Sequence, residues 1–451
     1  MTTNDERVER WLERAAEAGR DVRVPTERLD EAIRAGLRRA GEARRPLRRL
    51  RVAALRSGAA AAIALIILAV SIRVFPGFAA AVSQLPGMDA IVRLIAYDRG
   101  LQAAVRNDYY QPLGATRTED GVTLTVDGVI EDEGRLVLFY TVTDPEAAYV
   151  EIDSPRIRLQ DGSGLAAAYS WGYAAPDAAE RERTRTNHIE IQFGDDIELP
   201  RAFTLEAELL REGTPVGGTW ELPIELASYD PAELRTEYPI DRVVVMEGQR
   251  VTFKRAVVYP TRIAVEAEFD EANTKEIFSF MDLKLIGDDG EEYREQGGIA
   301  SHGRTRLYYF QGSSFDMPES LTLTGTTARA LDKDRLDFVV DTESGVVLRK
   351  PDDRLSVAVS RPAGKPIEIR MKVTGIDPDD RTIYSYVDGR FTDASGRPFD
   401  TLGGQYSTDN GEPESQTGMF EIPDAEYEQP LTFRIFNYPT YVREPFEIRI
   451  R

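Results

Sequence analysis

A mainly β fold is predicted for this 451-residue chain, with tandem immunoglobulin-like β-sandwich domains outside a membrane, one transmembrane helix and a short α-helical cytoplasmic head. Three features predict it. An uncharged apolar run, Ser57 to Ile72, stands behind a cluster of arginines. The residues before it carry a helical period, and those from Val122 onward alternate with a period of two. The alternating unit then returns twice, at intervals of about a hundred residues.

The head comes first, residues 1–52. In DERVERWLERAAEAG, Asp5 to Gly19, the residues Val8, Trp11, Leu12 and Ala15 fall at i, i+3, i+4 and i+7 and share one helical face. Thr26 caps a second helix, with Glu27 in its first turn and Leu29, Ile33 and Leu37 at four-residue steps. Two short stripes bury little area by themselves. Their cover is each other, the inner membrane surface or a partner protein, which makes Trp11, Leu12, Leu29, Ile33 and Leu37 a candidate partner-binding face.

The span is assigned to residues 53–76. At about 1.5 Å per residue the uncharged core of this run falls slightly short of a hydrocarbon layer about 30 Å thick. Apolar flanks, Val52 to Leu55 and Val74 to Phe78, extend it, and Arg56 and Arg73 can snorkel toward headgroups. A buried soluble helix would leave the arginine flank without a purpose. A signal peptide cleaved at Phe78-Ala79-Ala80-Ala81 would need an n-region far longer than such peptides carry. Arg38, Arg39, Arg44, Arg45, Arg48, Arg49, Arg51 and Arg56 precede the span against one acid, Glu42, so the N-terminus is expected inside and the C-terminus outside the plasma membrane. The chain's net charge is −21 and residues 1–57 alone are +5, so the remainder carries −26.

That acidic exterior argues against a nucleic-acid partner, since nothing there neutralises phosphates. The absence of cysteine removes disulfides, thiol nucleophiles and thiolate metal sites. His188 and His302 are the whole supply of imidazole, and no Gly-x-Ser-x-Gly, Walker or His-Glu-x-x-His pattern accompanies them. The expectation is a protein that is not an enzyme, with no cofactor and no metal. Acid clusters such as Asp288, Asp289, Glu291 and Glu292, or Asp377, Asp379 and Asp380, lack an EF-hand spacing and read as solvated turns.

Residues 77–115 follow the span. Pro86-Gly87 breaks the helical pattern, and Ile91, Leu94, Ile95, Leu101 and Val105 then recur at three- and four-residue steps, which predicts two short amphipathic helices. From there the strands begin. Val122 to Ile130 and Leu136 to Thr143 pair across a loop; Val251 to Tyr259 precedes Arg262 to Phe269; Ile367 to Ile376 precedes Thr382 to Val387. Gly turns recur in step, at Asp161-Gly162, Asp289-Gly290 and Ser395-Gly396. A proline leading into a strand recurs too, in LPRAFTLEA, MPESLTLTG and QPLTFRI. Three sandwich domains are therefore expected, over 116–229, 230–350 and 351–451, with joints near Tyr229-Asp230-Pro231 and Arg349-Lys350-Pro351.

Within them, Val122, Leu124 and Val126 are expected to face a core and Thr123, Thr125 and Asp127 the other side. The alternation in Val251, Phe253 and Arg255 fails at its third place, which predicts a bulge or an edge position there. Trp171, Tyr173, Tyr308 and Tyr309 are either an aromatic binding surface or core residues, and the core reading is preferred.

The stretches FPGFAAAVSQLPGMDAIVRLIAYDRGLQAAVRNDYYQ and EDGVTLTVDGVIEDEGRLVLFYTV resemble the start of the domain of unknown function 4179. That domain is found in single-pass membrane proteins of Gram-positive bacteria that look like anti-sigma factors. Matching positions include Pro86, Asp98, Gly100, Leu101, Gln102, Ala104, Gly121, Asp127, Gly128 and Arg135, and the resemblance is specific from about Phe75 to Val142. It implies a head that holds an extracytoplasmic-function sigma factor and an exterior that meets an extracytoplasmic ligand or senses the envelope, with membrane lipid around the span. The His-x-x-x-Cys-x-x-Cys pattern of zinc-containing anti-sigma domains is missing. A structural or adhesive envelope protein is the alternative.

Overall fold

The computed structural model describes residues 88–171, 183–193, 197, 199–227, 234–302, 304–362, 364–409 and 412–451. Every described residue belongs to one compact unit, which begins after Pro76. Among the described residues no helix is long and apolar enough to cross a membrane. The arginine-flanked run, the head and its face of Trp11, Leu12, Leu29, Ile33 and Leu37 lie outside them, as does Tyr173.

The described part is mainly β, preceded by two short helices, α1 (Met88–Leu94) and α2 (Arg99–Arg106). Asp98 caps α2 by accepting a hydrogen bond from the Leu101 amide at 2.9 Å, which satisfies one of the helix's free N–H groups. The buried residues Met88, Ile91, Ile95, Leu101 and Ala104 pack on Ile130, Val137 and Phe139 of the sheet beneath. The helical pattern after Pro86-Gly87 thus has a fixed cover.

The first group of strands is β1 (Gln111–Glu119), β2 (Val122–Asp132), β3 (Arg135–Thr143), β4 (Val150–Arg158), β5 (Ala167–Trp171), β6 (Thr184–Phe193), β7 (Ala202–Arg211), β8 (Thr214–Pro215) and β9 (Trp220–Glu225). One sheet has the order β1-β2-β3-β6-β5, and a second places β4 on one edge of β7 and β8 and β9 on the other. Both sheets feed one core, with Val122, Leu124 and Val126 from the first and Ile152, Leu205 and Trp220 from the second. Val122, Leu124 and Val126 are fully buried while Thr123, Thr125 and Asp127 lie on the other face, as the alternation requires.

The second group is β10 (Thr236–Met246), β11 (Gln249–Val258), β12 (Arg262–Phe269), β13 (Lys275–Phe280), β14 (Lys284–Gly287), β15 (Glu292–His302), β16 (Thr305–Gln311) and β17 (Leu321–Asp332). The order β10-β11-β12-β16-β15 repeats the first group's sheet, and β13 and β14 line one edge of β17 as β4 lines β7. The register slips between Phe253 and Arg255, so a bulge sits where the alternation fails. An equivalent slip lies between Val126 and Gly128 in the first group.

The third group is β18 (Asp337–Asp341), β19 (Val346–Arg349), β20 (Leu355–Ser360), β21 (Ile367–Thr374), β22 (Val387–Thr392), β23 (Pro398–Asp400), β24 (Gly403–Asp409), β25 (Glu412–Ile422) and β26 (Leu431–Ile435). Its sheets are β20-β21-β25-β24 and β19-β18-β26-β22-β23. The strand expected over Thr382 to Val387 does not form, and only Val387 enters a ladder. The Gln416 side chain takes the ladder's place, accepting from the Tyr384 amide at 3.0 Å and donating to the Thr382 carbonyl at 2.5 Å. Tyr384 and Tyr386 are buried there, which explains their apolar alternation without a strand. The three Gly turns do recur, with positive φ at Gly162, Gly290 and Gly396.

The last strand, β27 (Tyr441–Arg449), crosses the joint drawn near Arg349-Lys350-Pro351. It pairs with β17, from Thr322 opposite Arg449 to Arg329 opposite Tyr441, on the edge corresponding to the one β9 takes on β7. The strand that follows β17 in the chain is β18, and it pairs instead with β26 of the third group. The second and third groups have therefore exchanged their closing strands. The pairs are matched in length: β17 has 12 residues and takes the 9-residue β27, whereas β26 and β18 have 5 each. A 5-residue partner would leave part of β17's edge unpaired, and unpaired backbone groups at a core are costly.

Candidate functional site

The hairpin between β2 and β3 turns through Glu133-Gly134, with Gly134 at a φ of 69°, and sends Asp132 and Arg135 off its end. The β11–β12 connection, Tyr259-Pro260-Thr261, arrives from the second group, and α2 lies against both. At this junction Arg135 is 2 % exposed and touches three elements. Its Nη2 donates to Asp98 Oδ2 at 2.9 Å, its Nε to Glu190 Oε1 at 2.9 Å, and its Nη1 faces the Thr261 carbonyl at 3.5 Å. Gln296 of β15 also donates to Asp98 Oδ2. Gln192 donates to Glu190 Oε1 at 3.0 Å.

A second contact runs beside the first. Asp132 is buried and its Oδ2 accepts from the Thr261 amide at 2.9 Å and the Thr261 hydroxyl at 2.5 Å. Arg262 donates to the Glu133 carbonyl at 2.6 Å and stacks over the Tyr309 ring, 4.0 Å from its centroid. Gly100 is required here, because a Cβ on it would stand 1.7 Å from the Thr261 carbonyl oxygen. Gln311 ties the preceding turn to the second group by donating to the Tyr97 carbonyl at 2.9 Å.

The electrostatics follow from burial. Loss of water disfavours the Arg135 cation, but Glu190 and Asp98 outweigh it and raise its pKa, so the charge is permanent. Burial likewise opposes ionisation of Glu190, and Arg135 reverses the sign and holds its carboxyl below the usual range. Burial dominates at Asp132, which is pushed up despite Arg262 and Thr261. His188, on the same face of β6 as Glu190, packs 6.1 Å from the Phe139 ring, and burial pushes its pKa down. The arrangement is a clamp: one shared cation holds α2, the first sheet and the second group together.

The positions that carry the family resemblance take up structural tasks in and around this clamp. Asp98, Gly100 and Arg135 form it; Leu101 and Ala104 are buried beneath it. Gln102 donates to the Ala96 carbonyl at 2.7 Å, closing the turn between the helices. A Cβ at Gly128 would meet the Tyr110 ring at 2.3 Å. Sequence reasoning missed the clamp's second half, Thr261, Arg262 and Gln296, because nothing in their spacing relates them to Arg135.

Tyr308 and Tyr309 are buried, 0 % and 5 % exposed, and Trp171 is half-buried against the first core. An aromatic binding surface at Tyr308 and Tyr309 is therefore excluded: both rings are spent on packing. Among the described residues no group of three or more acidic or imidazole side chains is placed to hold a metal ion.

No curated protein matches this chain. Among solved structures, a conserved domain protein from Bacillus anthracis is 14 % identical over 58 % of this chain and 85 % of its own, with a TM-score of 0.36. The N-terminal periplasmic domain of ScsB from Proteus mirabilis is 10 % identical over 49 % of this chain and 94 % of its own, with a TM-score of 0.16. Residues 235–348, which supply Thr261, Arg262 and Gln296, match a family of unknown function (DUF5643). Residues 51–144, which supply Asp98, Gly100, Asp132 and Arg135, match the domain of unknown function (DUF4179) whose resemblance the sequence carries.

Proposed function

We propose that this chain is a single-pass plasma-membrane regulator, an anti-sigma-factor-like partner of an extracytoplasmic-function sigma factor. Its head binds the sigma factor, and its exterior, three immunoglobulin-like sandwich units, senses the envelope. The match of residues 51–144 supports the family background, and the arginine-flanked run supports the topology. The observation that carries the reading is the Arg135 clamp. It ties the helices that follow the arginine-flanked run in sequence to the first two strand groups, the coupling that a relay from the β-region toward the membrane requires.

The test is co-purification of the full chain, in detergent, with the sigma factor encoded beside it. A stable complex is expected, and Trp11→Asp combined with Ile33→Asp abolishes it, since burying each side chain is worth about 1.5 to 3 kcal/mol. Absence of a complex leaves the structural or adhesive reading. Protease added to intact protoplasts is expected to strip the β-region and spare the head; a protected β-region contradicts the topology.

A further inference from the structure

Beside the buried clamp, α2 and the second strand group leave a polar cleft of about 230 Å³ open to solvent. Arg99, Gln102, Ala103 and Arg106 form one wall, at i, i+3, i+4 and i+7 and so on one helical face. Glu291 and Asp316 stand opposite. Two ion pairs span the gap: Arg99 Nη1 lies 2.5 Å from Glu291 Oε1, and Arg106 Nη2 lies 2.6 Å from Asp316 Oδ2. All four side chains are about half exposed, so water screens the pairs and they hold the cleft weakly. Tyr293, Gly312 and the buried Ser313 complete the lining, with the Ile263 side chain packed against Gly312.

We propose that this cleft binds a short zwitterionic peptide of two or three residues, its carboxylate taken by Arg106 and its ammonium by Glu291. Arg99 and Arg106 are two turns apart, about 10 Å along the helix, and an extended tripeptide spans about 10 Å between its charged ends. A ligand with one charge of each sign replaces half of each ion pair and releases Arg99 and Asp316 to solvent, where they already largely are. Guanidinium and carboxylate are the groups that recognise free peptide ends by charge-assisted hydrogen bonds. The cleft lies between a helix and a strand group, so a ligand that favours one arrangement of the two elements shifts their equilibrium. The inference rests on the envelope-sensing role proposed above and names the chemistry sensed.

The experiment is calorimetric titration of the full chain, in detergent, with trialanine and with N-acetyl-trialanine amide, which lacks both charges. Trialanine is expected to bind saturably, and the capped peptide at least tenfold more weakly. Arg106→Ala and Glu291→Gln each lose about two- to fivefold while keeping the wild-type unfolding midpoint, since both side chains are exposed. No saturable binding of trialanine, equal binding of the capped peptide, or wild-type affinity in both variants overturns the proposal. Co-purification with the sigma factor is read separately, so the cleft and the regulatory role fail independently.

Discussion

Arg135 shows how much one residue can be asked to do. Its guanidinium reaches Asp98 and Glu190 from 2 % exposure, so replacing it leaves two carboxylates without their counter-charge. Breaking a buried pair from one side costs about 3 to 5 kcal/mol, and Arg135→Met is expected to lower the stability of the described region by that order in urea unfolding. A loss below about 1 kcal/mol contradicts the clamp. Glu295 tests the same physics with the opposite sign. Burial raises its pKa to about 7, with Arg329 opposing. An acid held above its unfolded value binds its proton more tightly in the folded state, so its contribution is full below about pH 4.5 and is lost as pH rises through about 7. Glu295→Gln is expected to flatten that decline, stabilising the chain at pH 8 relative to pH 5 by about 1 to 3 kcal/mol against wild type. An unchanged slope contradicts it. Of these residues, Arg135 stands out in the sequence only through the resemblance; Glu295 stands out in nothing, since neither its burial nor its neighbours are local properties.

At the level of elements, alternation carried most of what could be read. Val122, Leu124 and Val126 face a core, and the break at Arg255 is a bulge, because side-chain period is a local consequence of strand geometry. Pairing partners are a different matter. That β18 leaves β17 and β27 replaces it involves edges far apart in sequence, and no local pattern encodes it. The exchange is fastened by a buried network: Arg329 of β17 donates to Asp380 at 3.0 Å and 2.6 Å, and Tyr441 of β27 donates to the same carboxylate at 3.1 Å. A change in β27 should therefore be felt first in the second group. Ile448→Ala, which opens a cavity under β17, is expected to cost about 2 to 5 kcal/mol and to accelerate amide exchange at Leu323 and its β17 neighbours before β21 or β25. Faster exchange confined to the third group contradicts the exchanged pairing.

For the whole molecule, the described region is a chain of mechanical dependencies. The third group is held to the second by exchanged strands, the second to the first by Asp132, Thr261 and Arg262, and both to α2 through Arg135. Sequence alone placed the two short helices and several of the strands, and misplaced the one expected at Thr382 to Val387. It did not show the joints, because residues such as Arg135 and Thr261 meet only after three separate elements have folded. If those joints relay the state of the exterior to the head, loosening the first of them must alter regulation without removing the protein. The measurement is sigma-dependent promoter activity in cells carrying the wild-type chain, no chain, or Arg135→Met, with the amount of chain in the membrane quantified alongside. The account predicts low activity with wild type, high activity without the chain, and an Arg135→Met chain that is present in the membrane at comparable amount yet no longer sets the promoter at the wild-type level. A promoter indifferent to deletion of the chain, or Arg135→Met indistinguishable from wild type, contradicts it.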